Sequence, residues 1–265
     1  MKNRILKHLL FFCLGTCTLS ACSAQETPTQ SSVESKPSQI ARNPVDSLMK
    51  LYSGTSAKSQ SLGTVSNGSL KNGALFPFSG PNFRYFDTSS YLAKRAFLNA
   101  SILKTVLECY KSLETTLNGR IFGVMECSHE HGGKLTPHRT HQNGLSIDFM
   151  TPLLFNGQTN HDLDTLGPAH YLMQFNDRGY YTEDPRYRID FETMAQHIYT
   201  LHLIAKANGH PIEKVIWKLE LQDELLATKY GKLLSQENVY FTKHLTPLIN
   251  NLHDDHYHID FQNNK

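Results

Sequence analysis

The chain has 265 residues, 39% of them hydrophobic and 19% charged, which suits one domain with its own core and leaves little room for two. The formal charge of +2 includes Lys2, Arg4 and Lys7, and no acid precedes Cys22, so without residues 1–21 the balance becomes −1. A nearly neutral chain with no basic stripe argues against nucleic acid as a partner.

The N-terminus reads MKNRILKH, then the apolar run LLFFCLGTCTL, then Leu19-Ser-Ala-Cys22. That order is an export signal, and the run is too short for a membrane span. Leu19-Ser-Ala-Cys22 resembles the bacterial lipoprotein box, which implies removal of residues 1–21 and a lipid on Cys22 as the one membrane attachment; the alternative is an ordinary secretory peptide. Ser23 after the acylated cysteine favours a periplasmic protein held at the outer rather than the inner membrane. Residues 22–45, rich in Ser, Gln, Thr and Pro, cannot bury enough apolar surface to fold and read as anchor and tether. Of five cysteines, Cys13 and Cys17 leave with the signal and Cys22 is the anchor. Cys109 and Cys127 remain, either as a disulfide or as two buried thiols.

Residues 46–265 form the expected folded domain. Gly, Ser and Asn crowd residues 53–87, predicting turns and short strands with no long helix before Thr88. From Ser89 to Leu117 apolar positions recur every three or four residues, the clearest helix pattern in the chain. A second is expected from near Asp190 to Asn208. IFGVME, GLSIDFM, KVIWKL and HYHIDF read as strands. Helices set apart from clustered strands predict an α+β domain, a mainly antiparallel sheet flanked by helices. Residues 151–190 would be a long excursion near one end of the sheet, shaping a cleft; Tyr180, Tyr181 and Tyr187 could line it or serve structure.

Of 14 histidines, seven fall in two windows: His129, His131, His138 and His141, then His253, His256 and His258. Alternation along HYHIDF sends His256, His258 and Asp260 to one face and Tyr257, Ile259 and Phe261 to the core. In HQNGLSIDFM it buries Leu145, Ile147 and Phe149 and puts Asp148 opposite them, with His141 able to reach back across a Gly144 turn. Two His and one Asp suit Zn²⁺ with its fourth position open, the arrangement of a hydrolytic site.

His138-Arg-Thr-His-Gln-Asn-Gly-Leu-Ser-Ile-Asp148 and His253-Asp-Asp-His-Tyr-His258 resemble the two metal motifs of the penicillin-insensitive murein endopeptidases. These belong to a wider group with lysostaphin-like enzymes, D-Ala-D-Ala peptidases and the hedgehog domain. The upstream SLGTVSNGSLKNGALFPFSGPNFRYF is similar to the family's Gly-rich opening, so the likeness covers roughly residues 60–261. The resemblance implies His141, Asp148 and His258 as ligands of one Zn²⁺ per chain and His256 as catalytic base or transition-state stabiliser. His138 and His253 would support the ligands from behind or face the substrate. Thr140 and Ser146 depart from the usual Ser and Asp, and the family's multi-disulfide framework is largely missing.

The implied function is cleavage of D-alanyl-diamino acid cross-links in peptidoglycan. The alternatives are a D,D- or L,D-carboxypeptidase acting on stem peptides and a non-catalytic, zinc-stabilised wall-binding lipoprotein. Ser47-Leu-Met-Lys50 and Ser101-Ile-Leu-Lys104 match S-x-x-K, but no K-T-G companion occurs.

Overall fold

A computed structural model describes residues 43–54 and 57–263. The expected signal sequence, Cys22 and the expected tether up to residue 42 lie outside them. Helix α1 (Pro44–Tyr52) opens with Pro44 and with the Asn43 side chain accepting from the Val45 N–H at 3.0 Å. Val45 is buried in the core, so folded structure takes over the last two residues assigned to the tether. None of the described helices is long and apolar enough to cross a membrane.

Residues 53–87 hold short strands, as their composition predicts. β1 (Gln60–Thr64) and β2 (Asn67–Lys71) pair as a hairpin, followed by β3 (Ala74–Leu75) and β4 (Phe83–Tyr85). The single helix expected over 89–117 is instead α2 (Thr88–Leu92), β5 (Phe97–Leu98) and α3 (Ala100–Thr116). Lys94 turns the chain at φ +60°, and Asn99 starts α3 by accepting from the Ser101 N–H at 3.1 Å. The apolar spacing runs through this break because Ala96, Phe97 and Leu98 are all fully buried on their own account. Ser101, the serine of one S-x-x-K match, donates its hydroxyl to the same Asn99 cap at 2.8 Å.

The four predicted strands appear as β6 (Phe122–Val124), β7 (Ser146–Met150), β11 (Ile212–Ile216) and β12 (His256–Phe261). With β4 they form one sheet in the order β11-β12-β7-β6-β4, antiparallel except for β4 with β6. The architecture is therefore α+β. One sheet face is covered by α3 and by α4 (Phe191–Ala207): the His197 ring lies 4.7 Å from Phe149 and 4.9 Å from Phe122 and stacks on Tyr110. Asp190 starts α4 by accepting from the Thr193 N–H, and Asn208 ends it, as predicted.

The excursion after β7 carries its own antiparallel sheet, β8 (Leu153–Phe155), β9 (Gln158–Asn160) and β10 (Tyr187–Ile189). Arg120, buried before β6, ties it to the core through the Leu153 carbonyl at 3.1 Å and Asp190 at 2.5 Å. Helices α5 (Gln222–Ala227), α6 (Lys229–Gln236) and α7 (Pro247–Asn251) fill the connection from β11 to β12. Cys109 and Cys127 are both free, buried thiols. The disulfide alternative is set aside: the Cys109 sulfur faces the carbonyl of His197 across the helix packing, 3.9 Å away.

Candidate metal centre

The second face of the sheet carries the histidines. Register places His258 opposite Asp148, Asp260 opposite Ser146 and His256 opposite Met150, so period-two alternation puts these six side chains on one face. Tyr257, Ile259 and Phe261 go to the core together with Ile147 and Phe149. His141 arrives from the loop before β7, in the left-handed region at φ +67°, a conformation that non-glycine residues seldom hold without surrounding support. Gly144, at φ +76°, turns the chain between His141 and β7. The Asn99 N–H donates to its carbonyl at 2.9 Å, and a Cβ at this glycine would lie 2.7 Å from that nitrogen.

The result is a tight set of donor atoms. His141 Nε2 is 3.2 Å from Asp148 Oδ1, His258 Nδ1 is 2.8 Å from the same oxygen, and the two imidazole nitrogens are 3.0 Å apart. His138 Nδ1 approaches Asp148 Oδ2 at 3.6 Å. His138, His141 and Asp148 place ligand atoms within 4.8 Å of one another and could hold a metal ion. Asp148 Oδ2 is buried without a hydrogen-bond partner, and a carboxylate oxygen orphaned among nitrogens fits a cation. His138, expected beside the site, stands within reach of Asp148.

Electrostatics follow from burial and close charges. Burial opposes the charge of Asp148, yet His141 and His258 beside it hold the carboxyl well below the usual range. His141 is pushed down by burial. His258 resists the same desolvation and rises to about 10 because Asp260 and Asp148 flank it. Its Nε2 meets Asp260 Oδ1 at 2.7 Å, and Asp260 is held in turn by the Ser146 hydroxyl at 2.5 Å and Lys214 at 2.9 Å.

His256 and His253 occupy the next layer. His256 Nδ1 makes a short contact with Asp255 Oδ1. Burial disfavours charge on both partners, lowering the imidazole to about 4 and raising the Asp255 carboxyl. Nδ1 is thus engaged by Asp255, and Nε2 is the ring nitrogen left for other partners. The His253 ring lies 4.8 Å from that of His256 and its Nδ1 is 2.7 Å from the Ile249 carbonyl; burial lowers it to about 3. It supports His256 by packing. Of the first window, the exposed His131 side chain lies 4.0 Å from Glu130, outside the cluster.

Several residues of the site escaped sequence reading. Glu126 bonds His138 Nε2 at 2.7 Å and is clamped by Arg95. Met125 N–H donates to the Asp148 carbonyl while the Asp148 N–H donates to that of Glu126, so two residues face one, the pattern of a β-bulge that re-aims a side chain. Tyr171, in the 3₁₀ turn 167–172, sets its ring 5.1 Å from His256 and 6.2 Å from His138. The excursion does wall the site, through Tyr171. The tyrosines singled out earlier do other things: Tyr180 lies under Arg188, Tyr181 donates to Glu183, and Tyr187 packs on Phe155.

The sequence matches no protein-family profile, and no curated protein is significantly similar to it.

Proposed function

We propose that this chain is a zinc-dependent endopeptidase that cuts D-alanyl-diamino acid cross-links of peptidoglycan, with one Zn²⁺ held by His141, Asp148 and His258. The observation that carries the reading is the convergence of three donor atoms 2.8, 3.0 and 3.2 Å apart, close to the edges of about 3.3–3.6 Å that tetrahedral bonds to zinc require. His258 completes this set in preference to His138. Its second nitrogen is braced by Asp260, the carboxylate–histidine arrangement typical of ligating imidazoles, while His138 stands further off and is engaged with Glu126.

Bound there, the ion would supply Lewis acidity toward a substrate carbonyl and activation of water. His256, held at Nδ1 by Asp255, offers Nε2 for proton exchange with the attacking water and the leaving amine. His138, side chain 16% exposed, faces the open side, where it and Tyr171 orient the peptide. Burial of the remaining donors keeps water away from all but the reacting position.

The setting is consistent with a periplasmic enzyme anchored through Cys22, whose tether lets the domain reach the wall. The test is digestion of cross-linked muropeptide dimers by the purified protein with zinc, with a chelator, and as His256→Ala. Dimer should convert to monomer, and both chelation and the substitution should abolish it. Persistence of dimer beside one tightly held zinc per chain would instead favour a wall-binding lipoprotein.

A further inference from the structure

On the same sheet face, away from the histidines, lies a cavity of about 330 Å³, lined by Phe83, Arg84, Phe86, Ile121, Gly123 and Asp164 among others. Strand register connects it to the centre. His256 pairs with Met150 and Arg84 with Gly123, and a Cβ on Gly123 would lie 2.6 Å from Cβ of Met150. His256, Met150, Gly123 and Arg84 thus form one row across β12, β7, β6 and β4. Gly123 contributes no side chain to the row, and the Met150 side chain lies over it, with its sulfur 2.8 Å from where a Cβ would stand.

The walls come from the excursion that also walls the centre. Its 3₁₀ turn Asp162–Thr165 borders the cavity and the next turn carries Tyr171, whose ring packs on Phe86 at 5.7 Å. Charge in the cavity is asymmetric. Asp164 is engaged by His161 Nδ1 at 2.6 Å, whereas Arg84 is exposed and its guanidinium has no partner among the described residues. An unpaired planar fork above apolar walls recognises a carboxylate.

We infer that this cavity is a subsite for a free carboxylate of an extended peptide, with Arg84 as its anion-binding group. The inference rests on the peptidase reading for the identity of the ligand. Three strand spacings of about 4.8 Å put Arg84 about 14 Å from His256, the reach of about four extended residues. The subsite therefore selects peptides whose carboxylate lies about four residues from the bond cut.

The test is equilibrium binding, by calorimetry on the full chain, of a tetrapeptide ending in D-alanine as free acid and as amide. The free acid should bind about tenfold more tightly than the amide, the discrimination expected of one charge-assisted pair. That preference should vanish in Arg84→Gln and partly survive in Arg84→Lys. Equal binding of acid and amide to the wild type, or a preference that persists in Arg84→Gln, overturns the inference. Because no turnover is needed, a wild type that discriminates between the two ligands but cleaves no cross-link would sink the peptidase reading and leave the subsite standing.

Discussion

His197 gives a stability prediction that reaches the centre from behind. Its ring is fully buried among Tyr110, Phe122, Phe149 and Tyr257, with Nδ1 2.8 Å from the Tyr257 hydroxyl and Nε2 without a partner. Burial lowers the imidazole from 6.5 to about 3. The folded state keeps it neutral at pH values where the unfolded chain already binds a proton, so this contribution is complete above pH 6.5 and is lost as pH falls from 6.5 toward 3. Each pH unit inside that window removes about 1.4 kcal/mol, so at about pH 5 the cost is roughly 2 kcal/mol.

Other buried histidines shift in the same direction, so the effect must be isolated by difference. The comparison is wild type against His197→Phe/Tyr257→Phe, which keeps two rings in the core and leaves no hydroxyl orphaned. Urea unfolding followed by the fluorescence of the single tryptophan, Trp217, fully buried in the core, gives stability at each pH. The double variant should gain about 2 kcal/mol on the wild type between about pH 7 and pH 5. Curves that stay parallel over that interval would refute the reasoning, because His197 would then titrate normally in the folded protein.

Three further outcomes follow from the same geometry. Asp260→Asn keeps the size of the side chain behind His258 but removes its charge, and metal affinity by chelator competition should fall about 10–100-fold. Arg120→Leu strands the Asp190 carboxylate, 12% exposed, without its partner at 2.5 Å; denaturant melts should show a loss of about 3–5 kcal/mol. Since Cys109 and Cys127 are separate thiols, reducing agent should leave the melting temperature unchanged, and a shift would reveal a bond between them.

What could be read without coordinates follows the two backbone periods. Alternation alone assigns Tyr257, Ile259 and Phe261 to the core and His256, His258 and Asp260 to the opposite face, because both sides of β12 are packed and a slip by one residue would exchange them. The 3.6-residue period and the Asp190 and Asn208 ends likewise mark α4. The same period misleads at α2 and α3, where buried Phe97 and Leu98 belong to a two-residue strand and continue a helical pattern by coincidence. Only the Asn99 cap signals that a helix starts afresh there.

The parts of the centre that stayed hidden are those where a side chain's direction is set by an irregularity. Glu126 faces the site through a bulge opposite Asp148, and neither period registers a bulge. Tyr171 is placed by a 3₁₀ turn within an irregular excursion. Asp260 shows the converse: alternation puts it on the correct face, yet nothing in HYHIDF tells whether it would bind, brace or only neutralise. That depends on Ser146 and Lys214, which arrive from the two flanking strands. Sequence motifs thus expose the atoms of such a centre that repeat with the backbone, while the groups that tune it come from elsewhere in the chain and become visible only when strands pair.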